Sequence, residues 1–201
     1  QNNPFKGKTH TLEVREFLSN LNKKPKSEEH KRKISIYTSV IPVEHKNYKI
    51  NFLDAPGYTD FVGEMISALS VADGALILVD AVSGIEVGTE LAWRYADEFN
   101  LPRFFVINKM DRDNADFQKT YDAIKEFVEA HGKRVVQVHI PIGEKQEFKG
   151  VVDVIGMKAY MGDGKTVTDI PADMKDAAAE ASTLITEFDC VLLPIEMRRG
   201  P

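Results

Sequence analysis

Two short segments carry residue types that can bind a nucleotide. The first is Asp54-Ala55-Pro56-Gly57, within INFLDAPGYTDF at residues 50–61. An apolar run ends at Asp54, and Pro56 and Gly57 then break the chain into a turn. In an open α/β sheet, ligands lie just beyond the carboxyl ends of the strands. There the Asp54 carboxylate suits a hydrated Mg²⁺ ion, and the Gly57 N–H, with no side chain in the way, suits a phosphate oxygen. The same residues also fit an ordinary strand-to-turn junction. The second segment is Asn108-Lys109-Met110-Asp111, directly after the apolar run PRFFVI. A carboxylate at Asp111 accepts two parallel N–H bonds. Guanine presents such a pair from its N1–H and 2-amino group, and adenine does not. Recognition of that kind rejects the wrong base, because a buried carboxylate would be left unpaired. Asn108 fits either a hydrogen bond to the base or a tie between neighbouring loops. The aliphatic stem of Lys109 suits the flat face of the base. A third fragment, Gly7-Lys8-Thr9, supplies the second half of the phosphate-loop pattern G-x-x-x-x-G-K-[ST]. Asn2 stands where the first glycine belongs, so the fragment is either a remnant of such a loop or a chance match.

The elements around these segments alternate. Residues 34–43 are β-rich and predict a strand, a turn at 44–47 follows, and 48–53 predict a second strand. Together they read as an antiparallel hairpin on the edge of a sheet. Helical spacing of Phe61, Met65, Ala68 and Leu69 predicts a helix over 60–71. The continuous apolar run GALILVD at 74–80 predicts a strand buried on both faces. A helix over 86–98, a strand at 102–107 and an amphipathic helix carrying Phe117, Tyr121, Ile124, Phe127 and Val128 follow. This order predicts an α/β fold with a doubly wound, mostly parallel sheet, in which Asn108 reaches the same sheet edge as Asp54. After residue 134 the character changes. Short strands are predicted at 135–140, 148–154, 157–161 and 165–170, with a hairpin turn at Asp163-Gly164 and a helix over 172–188. The expected organisation is a core domain at 1–134 and a small α+β subdomain at 135–201. Upstream, 11–21 suggests a short helix, and the charged run 23–33 reads as a solvated loop.

Composition sets outer bounds. A chain of 201 residues makes one domain with at most a small appendage. A net charge of -5 gives no general attraction to nucleic acid. The single cysteine, Cys190, forms no internal disulfide, which fits a reducing cytoplasmic setting. No apolar run approaches membrane-spanning length, so no membrane partner is expected.

DAPGYTDF, NKMD and the stretch between them, SALSVADGALILVDAVSGIEVGTELAWRYADEFNLPRFFVINKMD, resemble the GTP-binding domain of translational GTPases of the elongation factor G family. HIPIG and FKGVVDVIGMKAY resemble the start of the subdomain inserted in such domains, and the resemblance covers about residues 31–181. It implies a P-loop GTPase fold that uses GTP or GDP with Mg²⁺ and hydrolyses GTP on the ribosome, driving translocation or a related step. Gly7, Lys8 and Thr9 would belong to the phosphate loop. Asp54 would hold Mg²⁺ through water, Pro56 and Gly57 would face the γ-phosphate, and Asn108, Lys109 and Asp111 would read guanine. RKISI at 32–36 resembles a segment that usually reads R-G-I-T-I. Ser35 therefore stands where a Mg²⁺-binding threonine is usual, and Thr9, Ser35 and Asp54 make up the implied metal set.

Some positions depart from the pattern. Tyr58 occupies the catalytic place of a histidine that positions the attacking water. With an unperturbed pKa of about 10, a phenol is a poor base at neutral pH. Ala55 follows Asp54 where threonine is frequent. These departures suggest a divergent relative, and the alternative is a GTP-binding, ribosome-associated switch that hydrolyses poorly. A relative of ribosomal-protection proteins or of peptide release factor 3 is a further alternative. The spacing from Thr9 to Arg32 is short and the S-A-[LK] motif is absent. The expectation is thus an incomplete domain that lacks a central strand and a terminal strand and helix, with unpaired sheet edges open to association.

Overall fold

A computed structural model describes residues 27–32, 34–45, 48–143, 145–162, 164, 166–187 and 191–193. The chain divides into two compact units, Gln1–Ala72 and Asp73–Pro201.

In the first unit, helix α1 spans Ser27–Arg32, inside the charged run expected to be a loop. Glu28 and Glu29 occupy its first turn, and Lys31 pairs with Glu28 at 3.3 Å. Acidic residues at the start and basic ones at the end of a helix complement its dipole, which a charge count alone does not register. Strands β1 (Ser39–His45) and β2 (Tyr48–Asp54) pair antiparallel from Ser39 opposite Asp54 to His45 opposite Tyr48. The antiparallel pairing is as expected, but among the described residues the hairpin is a two-stranded sheet of its own and not the edge of a larger one, and β1 begins at Ser39 and not at residue 34. The preceding amides bond to carboxylates instead of a ladder. Glu29 Oε1 accepts from the N–H groups of Ile36 (2.9 Å) and Tyr37 (3.0 Å), and Glu64 Oε2 accepts from that of Thr38 (2.7 Å). A 3₁₀ turn at Thr59–Phe61 leads into α2 (Val62–Leu69).

The second unit contains two sheets. Strands β3 (Ala75–Asp80), β4 (Arg103–Asn108), β5 (Val135–Gln137) and β10 (Val191–Leu193) form a parallel sheet in the order β3-β4-β10-β5. Strands β6 (His139–Ile142), β7 (Gly150–Asp153), β8 (Lys158–Met161) and β9 (Val167–Thr168) form an antiparallel meander. The predicted strand at 135–140 is therefore two strands in two sheets, separated only by Val138. The parallel sheet also draws β5 and β10 from beyond residue 134. Helices α3 (Val87–Glu98), α4 (Phe117–Ala130) and α5 (Lys175–Glu187) complete the unit. Asp116 caps α4, its Oδ1 accepting from the Lys119 N–H at 2.9 Å.

The core lies on one face of β3 and β4. Ile77, Val79, Phe105 and Ile107 are buried against Trp93 of α3 and Ile124 and Val128 of α4. Trp93 stacks on Phe105 with centroids 5.7 Å apart and meets Phe127 edge-on at 5.6 Å. The other face of β3 is not covered among the described residues. Leu76 is 49% and Leu78 58% exposed, against the expectation of burial on both faces. Among the described residues β3 is also the end strand of its sheet. A smaller core of Val152, Ile170 and Ala178 holds the antiparallel sheet to Met174 and α5.

Candidate functional site

In the second unit, parallel register sets Asp80 opposite Asn108, so β3 and β4 end level. The Asn108 carbonyl accepts the Ala81 N–H at 2.9 Å. Its side-chain Oδ1 accepts the N–H of Lys109 at 2.7 Å, so the amide oxygen acts as a tie within the loop. Lys109 has φ +63°, the left-handed conformation uncommon outside glycine. Its ammonium forms an ion pair with the Asp80 carboxylate. Asp80 also accepts the Val82 N–H at 2.8 Å. Burial alone would push the Asp80 pKa up. The hydrogen bond from Lys109, the N–H groups of Val82 and Ser83 and the lysine charge outweigh it and hold the carboxyl below its ordinary value.

Met110 is buried, anchoring the loop in the core, and Asp111 beyond it is exposed. The Ala81 carbonyl accepts from the Asp116 N–H (3.2 Å) and the Thr120 hydroxyl (3.1 Å). The loops after β3 and β4 are thereby one hydrogen-bonded piece. Asp80 did not figure among the residues singled out from sequence. Its signal was present, since it closes an apolar strand just as Asp54 does.

In the first unit, Asp54 closes β2 as expected, opposite Ser39. The residue keeps solvent contact, yet desolvation of its carboxyl raises the pKa. Pro56 is buried and Gly57 exposed, with open space where a Cβ would stand. Tyr58 is extended (φ -77°, ψ 136°), its carbonyl accepts the Phe61 N–H at 3.0 Å, and its ring is exposed. Ser35 is exposed in the segment before β1. Asp54 and Asn108 end strands of different sheets, not of the one shared edge the sequence led us to expect. Gly7, Lys8 and Thr9 lie outside the described residues, as does the suggested helix at 11–21.

The donor set suits a hard cation. Mg²⁺ is usually held by one or two carboxylates with water and phosphate oxygens, and not by an all-protein cage. A carboxyl whose charge is disfavoured by burial, as at Asp54, gains from a cation beside it.

The domain thus carries a strand-end carboxylate before a Pro-Gly turn, and an Asn-Lys-Met-Asp loop that closes a parallel strand pair. The profile of the family described as "Elongation factor Tu GTP binding domain" matches residues 7–191. The chain belongs to this family of GTP-binding domains. The matched span takes in Gly7-Lys8-Thr9. The domain is 38% identical over 166 residues to elongation factor G 1 of Bdellovibrio bacteriovorus, covering 80% of this chain and 23% of that protein. A crystal structure of a Thermus thermophilus protein superposes with a TM-score of 0.69 at 31% identity, covering 80% of this chain and 24% of that one. The domain thus spans about a quarter of the length of these relatives. No helix among the described residues is long and apolar enough to cross a membrane.

Proposed function

We propose that this domain binds GTP and GDP with Mg²⁺ and hydrolyses GTP as part of a cytoplasmic translation factor of the elongation factor G type, with the ribosome as partner. The observation that carries the reading is the loop after β4. It has Lys109 turned left-handed onto Asp80, Met110 sunk in the core and Asp111 free to meet a base. In that reading Asp111 accepts the N1–H and 2-amino group of guanine and the Lys109 stem covers the ring. In the first unit Asp54 and Ser35 supply oxygen donors toward Mg²⁺, and Pro56 and Gly57 present backbone to the γ-phosphate. Gly7, Lys8 and Thr9 are assigned to the phosphate loop, with the Thr9 hydroxyl toward Mg²⁺. Mg²⁺ would supply charge neutralisation on the phosphates. We assign residues 1–134, together with the parallel strands β5 and β10, to the GTP-binding core and the antiparallel stretch after Val138 to an inserted subdomain.

The test is equilibrium binding of GTP and ATP, with and without Mg²⁺, to the wild type and Asp111→Asn. GTP preference in the wild type, weakened by at least about tenfold in the variant, supports the reading. Equal affinity of the wild type for GTP and ATP would overturn it.

One observation favours a second reading, a GTP-loaded switch with slow hydrolysis. Tyr58, which the family resemblance puts in the place of a water-positioning histidine, has an exposed ring, and phosphoryl transfer to water depends on positioning. Ribosome-stimulated turnover should rise in Tyr58→His. No gain would count against the slow switch.

A further inference from the structure

Most ion pairs among the described residues are exposed. Lys158–Asp169, with side chains 51% and 93% exposed, is typical, and such pairs do little. Lys109–Asp80 differs, with side chains 33% and 16% exposed. It sits where β3 and β4 end level, in the piece formed by the two βα loops. Lysine has a flexible four-carbon stem and ordinarily loses much rotamer freedom when it is fixed against a ligand. Here the stem is fixed at both ends. The backbone end is set by the left-handed turn and the Asn108 Oδ1 bond, and the ammonium end by Asp80.

We infer that Asp80 is a positioning residue for the guanine nucleotide: by holding the Lys109 ammonium, it lays the lysine stem out as a ready surface for the face of the base. This rests on reading the Asn108–Asp111 loop as the guanine site. Asp80 touches no nucleotide in this scheme. Its contribution is preorganisation, which appears mainly as slower ligand release. The roles of the two carboxylates then divide. Asp111 reads the edge of the base and tells guanine from other bases, whereas Asp80 acts through the face and favours any purine the loop accepts.

The substitution that isolates the effect is Asp80→Asn. An asparagine Oδ1 can still accept the Val82 N–H, so the turn keeps its bond while the attraction for the ammonium is lost. The experiment follows release of GDP and of inosine diphosphate, which lacks the 2-amino group, from the intact protein by stopped flow. Asp80→Asn, Asp80→Glu, Lys109→Met and the Asp80→Asn/Lys109→Met pair are compared with wild type.

Asp80→Asn should release both nucleotides about tenfold faster, at an unchanged ratio between them because the 2-amino edge is read by Asp111. Asp80→Glu should recover part of the loss. The double variant should be no faster than Lys109→Met. A loop that had merely loosened would also lose the preference for GDP over inosine diphosphate. Wild-type release from Asp80→Asn, or additive effects in the double variant, would overturn the inference and leave the guanine reading intact. Failure of the wild type to bind GDP would overturn both. If Asp80→Asn does not fold, the cycle of Asp80→Glu with Lys109→Met applies the same criterion.

Discussion

Arg103 opens β4, at the opposite end of the strand from Asn108. Its guanidinium lies 4.2 Å from the Trp93 ring centroid, donates to Asp97 Oδ1 at 2.6 Å and reaches the Trp93 carbonyl at 3.4 Å. The pair is lopsided, since the Arg103 side chain is 6% and the Asp97 side chain 54% exposed. Arg103→Met loses a cation–π contact worth about 1 kcal/mol and a charge-assisted bond worth about 1.5 kcal/mol. It also relieves the desolvation of a buried cation and keeps the stem volume, so the net cost is about 1 kcal/mol. Asp97→Ala strands the cation. Breaking a fully buried pair costs about 3–5 kcal/mol, and hydration of the half-exposed Asp97 reduces this to about 2 kcal/mol. Losing the exposed partner should therefore cost more than replacing the buried one. The double variant should cost about 1 kcal/mol, well below the additive value of about 3 kcal/mol. Urea unfolding at pH 7, followed by the fluorescence of the single tryptophan, reads the second unit directly. With a slope of about 2 kcal/mol/M the midpoint should fall by about 1 M for Asp97→Ala and about 0.5 M for the other two. An additive double variant, or Asp97→Ala milder than Arg103→Met, would refute the reasoning.

Two further outcomes are expected. A Cβ at Gly150 would collide with the Tyr160 carbonyl oxygen and approach the Met161 Cα to 2.9 Å, both backbone atoms of the paired strand. Gly150→Ala should then cost about 2–3 kcal/mol, with hydrogen exchange rising first at the β7 and β8 amides. Burial lowers the His139 pKa, and Asp153 opposite it only partly restores it. The folded state therefore favours the neutral ring. The contribution of His139 is full above the unfolded pKa of about 6.5 and is lost as pH falls through the lower folded value. Urea midpoints at pH 7.5 and 5.5 should drop more for wild type than for His139→Gln, and equal drops would contradict this.

The elements from β3 to α4 were legible because their apolar runs and helical spacing are carried by neighbouring residues. What a run does not reveal is how many faces are covered, and GALILVD with Leu76 and Leu78 exposed shows the difference. The start of β1 was illegible for another reason. The amides of Ile36, Tyr37 and Thr38 find their partners on Glu29 and Glu64, and Glu64 is 26 residues away from Thr38. The break at Val138 likewise depends on which strands lie alongside, as β5 pairs with β10 from the far end of the chain. In the candidate site, Asn108, Lys109 and Asp111 were singled out by residue type and spacing. Asp80 was missed because only the parallel register of β3 and β4 brings it to Lys109.

Val138 has a mechanical meaning. It is the sole residue between β5 and β6, it is buried, and its carbonyl is taken by the Val154 N–H at 2.9 Å. A joint of one residue with a bonded carbonyl has no slack. A pull or twist on the antiparallel sheet is met at once by the β5 ladder, then by β10 and β4, which ends in Asn108 on the same edge of the parallel sheet. The meander is a handle fixed directly to the parallel sheet, without a compliant tether between them.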